Sequence, residues 1–545
     1  MKTTAPVQTT AATEAAAETA PVAATDAPVY TSRFDSETVI TLSDDGLTVN
    51  GGGEIDTVYT SHDIVYYEEK TAYESGNPYG AGSETDMHTA EEAQAHTVVN
   101  ITAPGAYRLS GKLSAGQIRI DLGEDAASDP DAVVELILDG ADITCTVAPA
   151  ILFRNVYECD GGWNTETAQP TVDTADAGAN LILAENSRST VSGSYVAKIY
   201  KDAEGEKKLW KQDGAVYSYM SMNVYGPGAL GITAENEGLN SELHLTINGG
   251  DIAIRSQDDG INTNEDGVSV TTINGGNLHI IAGTEGDGID SNGYLVINGG
   301  TVVASANPAS DAGLDSDMGS FVNGGTVIAL GSTMDWAESD SNQVTMNLQF
   351  AQYQSSGSAI VVTKEDGAVI FAYDPSEDEV LGENMRQYMG AVISCPAFTR
   401  GETYQLWLDG TVTGTETGGV YASVAAYDGG TQMQYTGTDV GVGGMGGPRP
   451  EGGMPEDSDG QRPQPGDFTP PDGDTGGQPP EKPDGDAPGA PGDGTPPNGE
   501  RPTLPEGETM PDRQPPEGGQ NAAGEASTGF YMNDMVNAFS GITAV

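Results

Sequence analysis

Two short motifs recur together through the middle of the chain, and their shared period limits the folds available. NGG begins at Asn248, Asn274, Asn298 and Asn323, in steps of 26, 24 and 25 residues. Between these copies lies a second column: ENEGLNS (235–241), QDDGINT (257–263), EGDGIDS (285–291) and SDAGLDS (310–316). Each NGG is flanked by short runs of alternating apolar residues, as in YLVINGGTVVASA (294–306). NGG between such runs is a hairpin signal, so an antiparallel meander is one reading. A meander gives no reason for both motifs to return about every 25 residues, whereas a stack of coils does. We therefore expect an all-β chain built on a right-handed parallel β-helix (a solenoid), with Ile247, Ile273, Ile297 and Val322 stacked inside it.

The period weakens on both sides. Residues 101–123, 133–155 and 223–238 read as irregular coils, broken by an insertion at 194–220. Residues 1–33 form an Ala/Thr/Pro tract with the composition of a disordered tether, and 441–526 form an acidic Pro/Gly-rich tract that cannot bury a core. This divides the chain into a tether (1–33), a β-helix (34–332), a small antiparallel β-module (333–440), the disordered tract (441–526) and a C-terminal segment (527–545). Apolar residues return in the last of these, at Phe530, Met532, Met535, Val536 and Phe539, and we expect a final strand that docks on the module.

Charge narrows the partners. There are 82 Asp and Glu against 22 Lys and Arg, a formal net charge of -60. Nucleic acid and anionic membrane surfaces are repelled. No stretch approaches the ~18 apolar residues of a membrane span. Three cysteines cannot all pair within one chain; a buried Cys145 and a Cys145–Cys159 bridge are the two readings. No signal peptide is visible. The tether's composition implies a trimmed export signal, and hence an extracellular or cell-surface location.

The acidic column carries the chemistry. Residues 232–330 hold fourteen Asp and Glu and one basic residue, Arg255. Coils stack ~4.8 Å apart, and two carboxylates at that spacing repel by about 3.5 kcal/mol at an effective dielectric near 20. Repeated carboxylates without counter-charge need protons or a metal. The donors on offer are all oxygen, which suits Ca²⁺ rather than zinc or copper. The candidate ligands are Asp258, Asp259, Asn262, Glu285, Asp287, Asp290, Asp311, Asp315 and Asp317. The opposing reading is turn chemistry, because Asp, Asn and Gly favour tight turns.

The insertion concentrates cations and aromatic rings. Tyr200, Lys201, Trp210 and Tyr217 are candidates for carbohydrate binding, the rings stacking on sugars and the ammonium attracting uronates; an ordinary solvated hairpin is the alternative. The NGG asparagines are expected to form an internal hydrogen-bonded ladder.

In order along the chain come GAYRLSG, then VELILDGADIT followed by PAI, then the NGG and DGI coils, a GST exit and a β-module. In this order the chain resembles a bacterial cell-surface carbohydrate-binding β-helix family related to polysaccharide lyases. The resemblance covers roughly residues 38–440. It implies calcium sites and a polysaccharide partner such as cellulose, pectin or another cell-wall glycan. The function expected is therefore non-catalytic, calcium-dependent polysaccharide binding. The rivals are a β-helix lyase or glycoside hydrolase and a purely structural or adhesive surface protein. A lyase needs a Lys or Arg base, and the repeat face offers only Arg255. An inverting hydrolase needs two carboxylates ~6.5–9.5 Å apart.

Overall fold

The structure is a computed structural model that describes residues 30–65, 88–161, 164–165, 167–196, 212–283, 286–307, 311–332, 334–377, 386–440 and 526–545. These residues are almost entirely β. A single short α-helix, Ala90–Gln94, and two 3₁₀ turns are the helical elements among them. The helix is capped by Thr89, whose side chain accepts from the Glu92 backbone N–H, while the Glu92 carboxylate accepts from the Thr89 N–H.

The strands on either side of each NGG do not pair with each other. Leu245–Ile247 pairs in parallel with Met222–Tyr225 and Val270–Ile273, and the series continues through Tyr294–Ile297 to Gly319–Val322. The strands after NGG form a second parallel ladder: Asp251–Arg255, Asn277–Ile281, Thr301–Ser305 and Thr326–Gly331. A third ladder of short strands joins Gly214–Ser218, Glu237–Ser241, Ile261–Thr263 and Ile289–Ser291, also in parallel. No closed barrel forms among the described strands. Ile247, Ile273, Ile297 and Val322 fall in one register column and are buried. They belong to one apolar core that runs from Ile40 to Ala337 and takes in Val392.

Parallel stacking brings like residues together along the ladders. The Asn274 amide donates to Asn248 Oδ1 at 2.9 Å, Asn298 to Asn274 at 2.9 Å, Asn323 to Asn298 at 3.1 Å and Asn342 to Asn323 at 2.9 Å. This ladder satisfies half-buried amides that would otherwise be costly to enclose. The glycines after Asn248, Asn298 and Asn323 lie against the backbone of the neighbouring strand's turn; a Cβ on Gly324 would come within 2.3 Å of Asn298 O.

Two boundaries differ from the sequence-based division. Tyr30–Arg33, assigned to the tether, touch the sheet: the Ser32 hydroxyl and the Arg33 backbone N–H donate to the buried Glu135 carboxylate at 2.6 and 2.8 Å. Within 333–440 the described strands pair antiparallel, and the C-terminal strand Val536–Ala544 docks on them in parallel with Thr345–Gln354. The module is not set apart from the parallel ladders, since Tyr388–Ser394 bonds antiparallel to both Thr326–Gly331 and Thr345–Gln354. Pairing of the open last rung leaves no free edge there. The rest of the tether and the tract 441–525 lie outside the described residues. Cys145, Cys159 and Cys395 are all unpaired.

Candidate functional site

The short-strand ladder sets the acidic column. Leu239, Ile261 and Ile289 share one register column and Leu314 bridges to Ile289; all four are buried. Alternation along a strand sends the next residue to the opposite face. That face carries Asn240, Asn262 and Asp290 in register, with Asp315 following Leu314. The residues before each glycine stack as well: Gly238 N–H donates to Asp259 O at 3.0 Å, Gly260 N–H to Asp287 O at 3.0 Å and Gly288 N–H to Ala312 O at 2.9 Å. The glycine is a packing requirement, since a Cβ on Gly260 would lie 2.1 Å from Ile280 Cγ2.

The side chains in the column are tightly interlinked. The Asn262 amide donates to Glu237 Oε1 at 3.0 Å and to Asp259 Oδ2 at 3.2 Å. Asp259 Oδ1 accepts from the Asp287 N–H at 2.7 Å, and Asp287 Oδ1 accepts from the Ala312 N–H. Asn240 donates to the Glu237 carboxylate and accepts from Asn264 at 3.0 Å. Asn262 Oδ1, in contrast, is enclosed without a hydrogen-bond partner. A buried acceptor in this condition needs an explanation.

Burial and mutual repulsion govern the charges. Burial pushes the Asp259 carboxyl well above the usual range, reinforced by Glu237, Asp290, Asp258 and Asp287. Asp287 is pushed up to about 7, first by burial and then by Asp315. Asp315 is raised by burial. Asp335 caps the column and is pushed up to about 6, mainly by burial, although the Ser316 and Ser320 hydroxyls donate to it.

The structure thus gathers Asp259, Asn262, Asp287, Asp290 and Asp315, with Asp258 and Asp311 close enough to repel Asp287. Asp317 is exposed just past the column, its N–H donating to Ser291 O at 3.0 Å. Glu285 lies outside the described residues, as do Tyr200, Lys201 and Trp210. Tyr217 is corrected: it is fully buried in the short-strand ladder, its hydroxyl bonded to Glu242 and its ring set edge-on to Tyr219 with centroids 5.3 Å apart. No face of it is open to a sugar, because the side chain is wholly buried at its register position beside Asn240. Arg255 sits in the ladder that follows NGG, not in the acidic column.

Among the described residues, no three His, Cys, Asp or Glu side chains converge as a metal would require. The donor chemistry nevertheless fits a hard cation: oxygen throughout, and one buried amide oxygen without a partner. Glu237 and Asn240 belong to this cluster and had a sequence signal, their place in the ENEGLNS copy. Asp335 and Arg386 reach the column from outside the repeat, where no periodicity marks them.

A concavity of about 860 Å³ lies along the NGG corner, lined by Tyr30, Glu37, Arg108, Asp139, Glu185 and Asp251 among others, and no column residue lines it. Its Arg108 is neutralised by Glu37, at 2.6 and 2.8 Å, and by Asp139 at 3.2 Å.

Comparison with known proteins gives three findings. The family described as "Carbohydrate-binding domain-containing protein" matches residues 95–369. A protein of that description from Acetivibrio thermocellus is 27% identical over 159 residues, covering 29% of this chain and 45% of the relative. The chain therefore spans under half the length of that relative. A solved structure, described as the polysaccharide lyase-like protein from C. thermocellum in a gadolinium derivative, is 21% identical. It covers 53% of this chain and 93% of its own, with a TM-score of 0.32, too low a value to carry an argument.

Proposed function

The chain belongs to the family of carbohydrate-binding domain-containing proteins, and from that premise we propose that it is a non-catalytic, calcium-dependent polysaccharide-binding protein of the cell exterior. The observation that carries this reading is the buried carboxylate column. From Glu237 to Asp315 the short-strand ladder bears stacked acids and no Lys or Arg. In this reading the three ladders wind as successive coils of a right-handed parallel β-helix, and the column runs along one flank.

Asp259, Asn262, Asp287, Asp290 and Asp315 would hold the calcium, closing about it from their separate rungs, with Asp258 and Asp311 beside them. The ion would supply positive charge that lets an acidic polymer approach an acidic protein. The residues themselves supply a fixed oxygen surface. The Asp259 and Asp287 carboxylates are anchored by backbone N–H groups, and Asn262 is oriented by Glu237 and Asp259. Export to the cell surface is supported by tether composition alone. No helix among the described residues is long and apolar enough to cross a membrane.

Retention on a panel of insoluble and immobilised glycans, with calcium and with chelator, tests the proposal. Calcium-dependent retention on at least one polysaccharide is expected. Retention on none overturns it in favour of a structural role. Release of unsaturated uronide ends from polygalacturonate, read by absorbance, would show a lyase instead.

A further inference from the structure

The asparagine ladder has an open end. Asn323, Asn298 and Asn274 each pass an amide hydrogen bond to the next asparagine, and the series stops on Asn248 Oδ1. The amide nitrogen of Asn248 has no hydrogen-bond partner among the described residues, although the residue is only 5% exposed. Register gives the reason. Val224 pairs with Ile247, which sets Tyr225 beside Asn248; Tyr225 pairs with Ile182, and Ile182 with Ile137. The column of amides gives way there to apolar side chains, so no further amide takes up the donor. A buried N–H in this condition calls for an acceptor.

This end of the ladder opens on the concavity of the NGG corner. Asn248 lines it together with Ile137, Ile182 and Leu183, and every lining residue is described. The rim is acidic. Arg108 is already shared between Glu37 and Asp139, whereas Glu185 and Asp251 are exposed and pair with no Lys or Arg among the described residues. A Lys or Arg side chain is an aliphatic stem ending in a cation, which suits an apolar floor under an acidic rim. The main chain that carries it supplies carbonyl acceptors for the Asn248 amide. We propose that the concavity docks a basic, extended segment of a partner protein, with Asn248 donating to a main-chain carbonyl and Glu185 and Asp251 holding Lys or Arg head groups. The proposal stands apart from the polysaccharide reading, because no column residue lines the concavity.

The test uses the full chain at about 0.15 M salt, which screens distant surface charge. An amidated Lys-Ala octapeptide, spermine and the glucosamine hexamer are titrated by calorimetry, and the octapeptide should bind tightest. Glu185→Gln with Asp251→Asn should weaken it by about tenfold or more. Asp45→Asn with Glu365→Gln removes two exposed carboxylates elsewhere and should leave it unchanged. Asn248→Asp keeps the acceptor that Asn274 uses but loses the donor, so it should weaken the peptide, whereas charge alone would tighten it. Carbodiimide coupling of the bound peptide, mapped by mass spectrometry, should mark Glu185 and Asp251 first, and it serves if a variant fails to fold. An octapeptide that does not bind overturns the proposal. So do equal losses in the two double variants, tighter binding by Asn248→Asp, or coupling spread evenly over the acidic residues. Spermine binding as tightly as the peptide overturns it in favour of charge alone, and displacement of the peptide by an equal concentration of glucosamine hexamer in favour of a cationic glycan.

Discussion

The repeating parallel ladders and the C-terminal module hold themselves together differently. In the ladders each strand meets its neighbours in register: Ile247 on Ile273, Asn274 on Asn248, Asn262 on Asp290. The core there is mostly aliphatic. In the module, aromatic rings pack between segments far apart in the chain. Tyr435, Phe530 and Phe539 meet with centroids 4.8–4.9 Å apart, and Thr345 aligns with Val536 across most of the module. Stacking rungs makes stability nearly additive and local. It also gathers like charges, a cost the module escapes. The region that tolerates repetition is thus the one that collects the acidic column.

The largest separation should come from deleting residues 526–545. Phe530, Met532, Phe539 and Ile542 are buried, and each contributes about 1.5–3 kcal/mol. The module should melt early, several kcal/mol weaker, while the coils keep their transition in calorimetry. A single unshifted transition would mean that the two regions do not differ in this way. Next, Ile273→Ala should cost about 2–5 kcal/mol and act on the coil transition; an effect confined to the module would break the comparison.

Calcium should then act on the coils alone. A hundredfold excess over Kd adds about 2.7 kcal/mol of apparent stability. Without calcium, pH should act in the opposite sense to most carboxylates. Asp287 and Asp335 are raised to about 7 and 6 from 3.8, so the folded state holds their protons more tightly than the unfolded state. Their stabilising contribution is complete below about pH 4 and is lost as pH climbs through 6 and 7. The chelated coils should therefore melt lower at pH 8 than at pH 5, and Asp287→Asn should flatten that slope. A coil transition independent of pH in chelator would refute the buried, protonated column. The smallest effect belongs to Lys112→Ala. Its pair with Asp142 is exposed and screened by solvent, so the melting temperature should stay within error of wild type, and a clear drop in salt-free melts would show that surface charge matters more here than packing.

Legibility followed the period. The strands, the interior position of Ile273 and the Asn248–Asn323 ladder could be read because equivalent residues recur about every 25 positions. So could the alignment of Asp259 with Asp287, which strand register then realises. Tyr217 was misplaced because it sits in an insertion without period, and aromatic plus lysine composition does not tell a covered ring from an open one. Arg386 and Asp335 were invisible, each a single residue outside the repeat.

The sequence by itself determined an all-β chain, an acidic column and membership in a carbohydrate-binding family. Those follow from local pattern, which needs only near neighbours to express itself. Tertiary structure alone decided that Tyr388–Ser394 would close the last rung, that Val536–Ala544 would run parallel to Thr345–Gln354, and that Arg386 would stand beside Asp311. These are contacts between segments separated by tens to hundreds of residues. Their free energy depends on which surfaces the finished coils leave uncovered, which no local pattern in the chain records.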